Sequence, residues 1–140
     1  MGRPGVPIIR NSRASAGGFT LVELMIVVVI VAVLLTVGLP AYRDQVLRGN
    51  RAAAKAEMMD IANRQHQFLL ANRAYADKAT LPYSLPTDVA ENYTYDIALA
   101  APPAPPFFTI TFTAIGGQVA DGDLTLDSEG VGGPAAKWER

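Results

Sequence analysis

The chain contains no cysteine. This excludes a disulfide framework, a thiolate nucleophile and a thiolate zinc site, and leaves the redox compartment open, because a cysteine-free chain suits either. There is one histidine, His66, set among Arg64, Gln65 and Gln67, with no second imidazole to share a metal ion. Neither Ser84 nor Ser128 is framed by a nucleophile motif, so no catalytic triad can be drawn. Charge is scarce and balanced: 12 Lys and Arg against 13 Asp and Glu give no global basic field for nucleic acid or an anionic lipid surface. At 140 residues there is room for one domain and an appended segment. What the chain has in excess is apolar residues. They make up 50% of it, and a mean hydropathy of +0.19 points to one concentrated block.

That block lies near the start. Leu24 to Tyr42 is nineteen residues without a formal charge, and a helix of about 20 residues crosses the ~30 Å hydrocarbon core of a membrane. Ahead of it, Met1 to Gly18 carries Arg3, Arg10 and Arg13, two prolines, four glycines and no acid, the composition of a leader. A secretory signal peptide fits poorly, because its best cleavage site, Leu39-Pro40-Ala41, places Leu and Pro where small side chains are required. An uncleaved signal anchor fits the length. It does not account for Glu23, a carboxylate between Val22 and Leu24 that costs roughly 2.5 to 3.5 kcal/mol at mid-bilayer, less near the interface.

Gly17-Gly18-Phe19-Thr20-Leu21-Val22-Glu23-Leu24-Met25-Ile26-Val27-Val28, followed by Pro40-Ala41-Tyr42, resembles the class III signal sequence of type IV pilins and of the related type II secretion pseudopilins. The resemblance implies that a membrane peptidase cuts between Gly18 and Phe19 on the cytoplasmic side and methylates the new N-terminus at Phe19. The mature chain of 122 residues would carry nine basic and thirteen acidic residues. It further implies that Glu23 pairs with the N-terminal ammonium of a neighbouring subunit, so that the cost of its apolar location is offset only on assembly. Orientation also follows from the resemblance: the basic residues do not decide it, since Arg43, Arg48, Arg51 and Lys55 follow the apolar run as the leader arginines precede it.

Beyond the apolar run the helix continues. Residues 42 to 76 lack proline and place Ala54, Met58, Ile61, Phe68 and Leu69 near one face, with Lys55, Asp60, Arg64 and Arg73 opposite. Pro40 removes a backbone donor and predicts a kink. Asp77 to Glu91, with Pro82 and Pro86, reads as a loop. Three alternating stretches then predict strands: Tyr93 to Leu99, Phe108 to Thr113, and Asp123 to Asp127. Between the first two lies a proline run, Pro102 to Pro106, best read as a stiff link rather than a polyproline ligand. The expected fold is α+β and pilin-like: a long N-terminal helix, membrane-spanning in its first half and amphipathic in its second, packed against a small antiparallel sheet. The expected division is a leader at 1–18, a hydrophobic assembly helix at 19–42, an amphipathic helix at 43–76 and the loop and sheet of a head at 77–140.

Asp121, Asp123, Asp127 and Glu129 fall within nine residues and are candidate calcium ligands, although Thr125 stands where an EF-hand would place a third acid. Solvated turn acids are the plainer account. No other cofactor is expected. Many pilins close their C-terminal region with a disulfide; by that resemblance a cysteine is expected before Trp138, where Lys137 stands, so the closing loop must be held by packing, with Trp138 against the sheet.

The reading is a structural subunit of a type IV pilus, of the minor-pilin type, and not an enzyme. A type II secretion pseudopilin is the first alternative, and a signal-anchored periplasmic binding domain that never polymerises is the second. The implied partners are other pilin subunits, the prepilin peptidase and methyltransferase, the inner-membrane assembly platform, and membrane lipid before assembly. DNA has no support beyond the one basic cluster, Arg43 to Lys55. The implied location is the bacterial inner membrane with the head in the periplasm, then the pilus at the cell surface.

Overall fold

The computed structural model describes residues 18–100 and 105–139. Most of the expected leader and residues 101–104 of the proline run lie outside the described residues. The chain forms two compact units, one ending at Leu39 and the other beginning at Pro40. Helix α1, Leu21–Asn72, carries Pro40 within it. Its first turn is closed by Thr20, whose Oγ1 accepts the N–H of Glu23 at 3.2 Å, the bond an N-cap makes to the third helical residue. The helix ends four residues earlier than its composition suggests, because Arg73 turns left-handed (φ 58°) and its N–H closes on the Leu69 carbonyl at 2.7 Å.

The second unit is α+β. Short helix α2, Thr87–Ala90, interrupts the expected loop and leads into strands β1 (Tyr93–Leu99) and β2 (Phe108–Ala114). A 3-10 turn, Gly116–Ala120, connects to β3 (Leu124–Asp127); β4 (Gly132–Gly133) and helix α3 (Ala135–Trp138) follow. The sheet is antiparallel in the order β1-β2-β3-β4, one strand more than expected. That fourth strand is two glycines, which carry no alternation to read.

Register puts one apolar set on one face. Tyr95 lies opposite Phe112, Ile97 opposite Ile110, and Phe112 also opposite Leu124. Tyr93, Phe108, Ile110, Phe112 and Leu124 are buried, while Thr94 and Asp96 on the other face are exposed. A one-residue slip would exchange the two sets, so the alternation fixes the pairing. From α1, Ala54, Met58 and Ile61 join this core at helical spacing, each burial contributing roughly 1.5 to 3 kcal/mol for the larger side chains. Phe68 is only partly buried. The fully buried residue on the next turn is Gln65, whose carboxamide oxygen accepts the Ala76 N–H at 2.9 Å and whose amino group donates to the Ala76 carbonyl. This pair of bonds ties the chain after Arg73 back onto the helix and satisfies both buried backbone groups.

Candidate assembly interface

The first unit has no interior. From Leu21 to Leu39 every residue is exposed, Val22 at 64% and Val37 at 74%, and the helix is long and apolar enough to cross a membrane. Glu23 is the sole formal charge in this stretch. Its backbone N–H is capped by Thr20, but among the described residues its carboxylate has neither a hydrogen bond nor an ion pair. Gly18 and Phe19 precede the helix and are exposed, Phe19 at 75%. Thr36, whose Oγ1 donates to the Val33 carbonyl at 2.7 Å, has its hydroxyl satisfied within the helix. Nineteen exposed residues of this composition need either lipid or other protein around them.

In the second unit, α1 carries an exposed strip of uncharged residues on the side turned from the core. Ala52, Ala56, Met59, Asn63, His66 and Leu70 are all exposed. Of the charges expected on the outer face, Arg64 and Arg73 are exposed, whereas Lys55 and Asp60 are half-buried and tied to neighbours. Asp60 pairs with Arg64 at 3.1 Å, and the Tyr83 hydroxyl donates to Glu57. His66 lies edge-on to Tyr75 and Phe108, with ring centroids 6.0 Å from each.

The basic cluster is divided. Arg51 donates to Asp121 at 3.0 Å. The Lys55 ammonium donates to the Lys137 carbonyl and stands 4.9 Å above the Trp138 ring. Its pKa is lowered, by burial first and then by the Arg51 charge, with Asp121 working against both. Arg43 and Arg48 remain exposed.

The four candidate calcium acids do not converge, and among the described residues no group of three or more acidic, His or Cys side chains could hold a metal ion. Asp121 is taken by Arg51; Asp123 accepts the Ala114 N–H at 2.9 Å; Asp127 Oδ1 accepts the N–H groups of Glu129 and Val131, each at 2.9 Å, and shapes the turn. The reason is local: short acids in turns cap their own backbone more readily than they gather around an ion.

One polar centre has no counterpart in the sequence reading. Gln118, in the 3-10 turn, is buried, and its amino group donates to the Leu47 carbonyl (3.1 Å), the Tyr93 hydroxyl (2.9 Å) and Asp121 (3.2 Å). Its oxygen accepts from Asn50 at 3.1 Å, and Asn50 donates also to Asn92 at 3.2 Å. This network joins α1, the start of β1 and the turn before β3. A glutamine between Gly117 and Val119 gives no periodic signal, so nothing in the sequence marks it.

Two family models match the chain. Residues 40–125 match the family described as "Type IV minor pilin ComP, DNA uptake sequence receptor", and residues 13–39 match the "Prokaryotic N-terminal methylation motif". The first covers more than half of the chain and ends before β4 and α3; the second covers the last part of the leader and the exposed apolar helix. Compared with individual curated proteins, the chain matches none.

Proposed function

The chain belongs to the type IV minor pilin ComP family, and from that membership we infer how this subunit is processed and assembled. It is a structural subunit of a type IV pilus, anchored in the membrane by its N-terminal helix and later built into the filament. We propose that the leader is 1–18, that cleavage falls between Gly18 and Phe19, and that Phe19 receives the N-methyl group. The assembly helix is then 19–42, the amphipathic stem 43–76, closing at Asn72, and the head 77–140.

The observation that carries this reading is the exposed apolar helix with one carboxylate. Lipid satisfies its side chains before assembly, but the Glu23 carboxylate gains a partner only when a cation arrives from another subunit. The N-terminal ammonium of a neighbour, freed by cleavage, supplies it. Mass spectrometry of the N-terminal peptide from sheared filaments should give N-methyl-Phe19, and Glu23→Ala should insert in the membrane yet fail to enter filaments. Normal incorporation of that variant would sink the pairing.

The family description supports a second reading, contact with incoming DNA. Residues 40–140 carry nine Lys and Arg against twelve Asp and Glu, so any such contact rests on local guanidinium groups rather than on a general field. Titration of labelled duplex with the full chain in detergent, at two salt concentrations, tests it. Saturable binding weakened by salt supports it, and no binding at low salt removes it.

A further inference from the structure

The head has an apolar groove of about 460 Å³ between α1 and the 3-10 turn, lined by Tyr42, Val46 and Leu47 on one side and Gly117 and Ala120 on the other, with Arg43 beside it. The polar groups at its floor are engaged: Asn50 donates to both Asn92 and Gln118. The groove therefore offers apolar walls and one cation. Of the four clustered basic residues, Arg51 is held by Asp121 and Lys55 by the C-terminal segment. Arg48, which like Arg43 forms no ion pair among the described residues, lines a separate cleft with Asp44, Arg51 and Asp121 and does not border this groove. Arg43 alone fronts an apolar surface, and among the described residues it forms no ion pair.

We propose that this groove receives the beginning of the apolar helix, around Glu23, from a second copy of this chain, with Arg43 as a counter-charge to that Glu23. The proposal rests on the filament reading and adds a second cation to the N-terminal ammonium. The complementarity lies within the sequence: an exposed apolar helix with one unpaired carboxylate, and an apolar groove with one unpaired guanidinium. A carboxylate has two oxygens and can accept from both cations. Parallel packing that sets Glu23 against Arg43 also sets Ile26 against Val46, an apolar pair on the next turn. The guanidinium then loses water against apolar walls only where a carboxylate replaces it.

The test is photocrosslinking in the native host, with benzoylphenylalanine in place of Val46 and, separately, of Ala120, so that impaired incorporation at one site leaves the other to report. Sheared filaments should yield a species of twice the subunit mass whose cross-linked peptide runs from Phe19 to Arg43 of the second copy. Arg43→Glu should reduce the amount of subunit in filaments at least about tenfold, while Arg73→Glu leaves it unchanged. Filaments that contain the subunit but cross-link to the head of a neighbour, to a different protein, or not at all would overturn the groove proposal and leave the filament reading standing. A wild-type subunit never recovered with filaments would overturn both.

Discussion

The Lys137 ammonium donates to the backbone carbonyl of Asp121, and it lies 3.4 Å from that of Asp123. In return Lys137 offers its own carbonyl to the Lys55 ammonium of α1. Two amino groups thus join three stretches of chain: the middle of the long helix, the loop before β3 and the C-terminal helix. Where the pilin resemblance leads one to expect a cysteine, this chain has a charged donor that reaches two carbonyls. Charge-assisted bonds of this kind contribute about 1.5 to 3 kcal/mol when shielded from water, and less at a half-buried site. Lys137→Met, which keeps the stem and removes the donor, should lower stability by about 1 to 2 kcal/mol. Thermal melts of the full chain in detergent check this. Lys137→Met and Lys55→Met together should cost less than the sum of the two, because each releases the same segment.

Gly132 has no room for a side chain. A Cβ there would fall 2.2 Å from Trp138 Cδ2. The indole is held in place, with its N–H on the Gly133 carbonyl at 3.1 Å and Lys55 above its face. It cannot yield without losing both contacts. Gly132→Ala should destabilise the head by about 1 to 3 kcal/mol, the range for overpacking. Trp138 is the chain's single tryptophan, so its emission reports the event directly. The spectrum should shift to the red as the indole is pushed into water, and an unchanged spectrum with unchanged stability would refute the assignment.

The long helix and three of the strands were legible because each has a period. Charge-free length marked Leu24 to Tyr42, and alternation marked Phe108, Ile110 and Phe112. Glu23 was conspicuous for a related reason: one acid in an apolar run stands out. What escaped has no period. Arg73 ends α1 through a backbone angle that the residue type does not favour, and β4 is a pair of glycines. Gln65 and Gln118 are polar residues buried by tertiary hydrogen bonds, and no local pattern distinguishes them from the exposed Gln67. The acids of the C-terminal turns were legible as a cluster but not as caps: Asp127 holds the N–H groups of the turn it opens, and Asp123 reaches back nine residues to the Ala114 N–H.

Gln118 should therefore matter more than its surroundings suggest. The two hydrogens of its amino group are shared among the Leu47 carbonyl, the Tyr93 hydroxyl and Asp121. Gln118→Leu keeps the bulk and removes every bond, leaving the buried Tyr93 hydroxyl and the part-buried Leu47 carbonyl and Asp121 carboxylate without this partner. The expected loss is about 2 to 4 kcal/mol, from an unsatisfied-group cost of about 1 to 3 kcal/mol in which the several acceptors do not add fully. Val119→Ser, one residue away on an exposed side chain, should stay within about 0.5 kcal/mol. Urea titration of both variants in detergent separates the two. Equal stability for Gln118→Leu and the wild type would show that the network contributes nothing net.

Three tyrosines make the head sensitive to alkali. The Tyr83 hydroxyl is pushed well above the ordinary tyrosine value of 10.0, by burial first and then by donation to Glu57, which would face a phenolate as a like charge. Burial also raises Tyr93, with the Gln118 hydrogen bond working the other way, and Tyr95. A raised pKa means that the folded chain favours the protonated phenol. That contribution is fully present below pH 10.0 and is lost as the pH rises toward the folded values, because the unfolded chain releases its protons first. Lys55 runs in the opposite direction: its lowered value makes stability rise with pH up to its ordinary 10.5. One half-buried amine acts against three phenols, so the melting temperature should fall above pH 10.0. Tyr83→Phe loses the bond to Glu57 and should be less stable at neutral pH, yet its decline in alkali should be shallower because the most strongly shifted phenol is gone. Melting temperatures of both chains across the alkaline range test this, with tyrosinate absorbance followed in parallel. A variant whose alkaline slope equals that of the wild type would show that Tyr83 does not carry the effect.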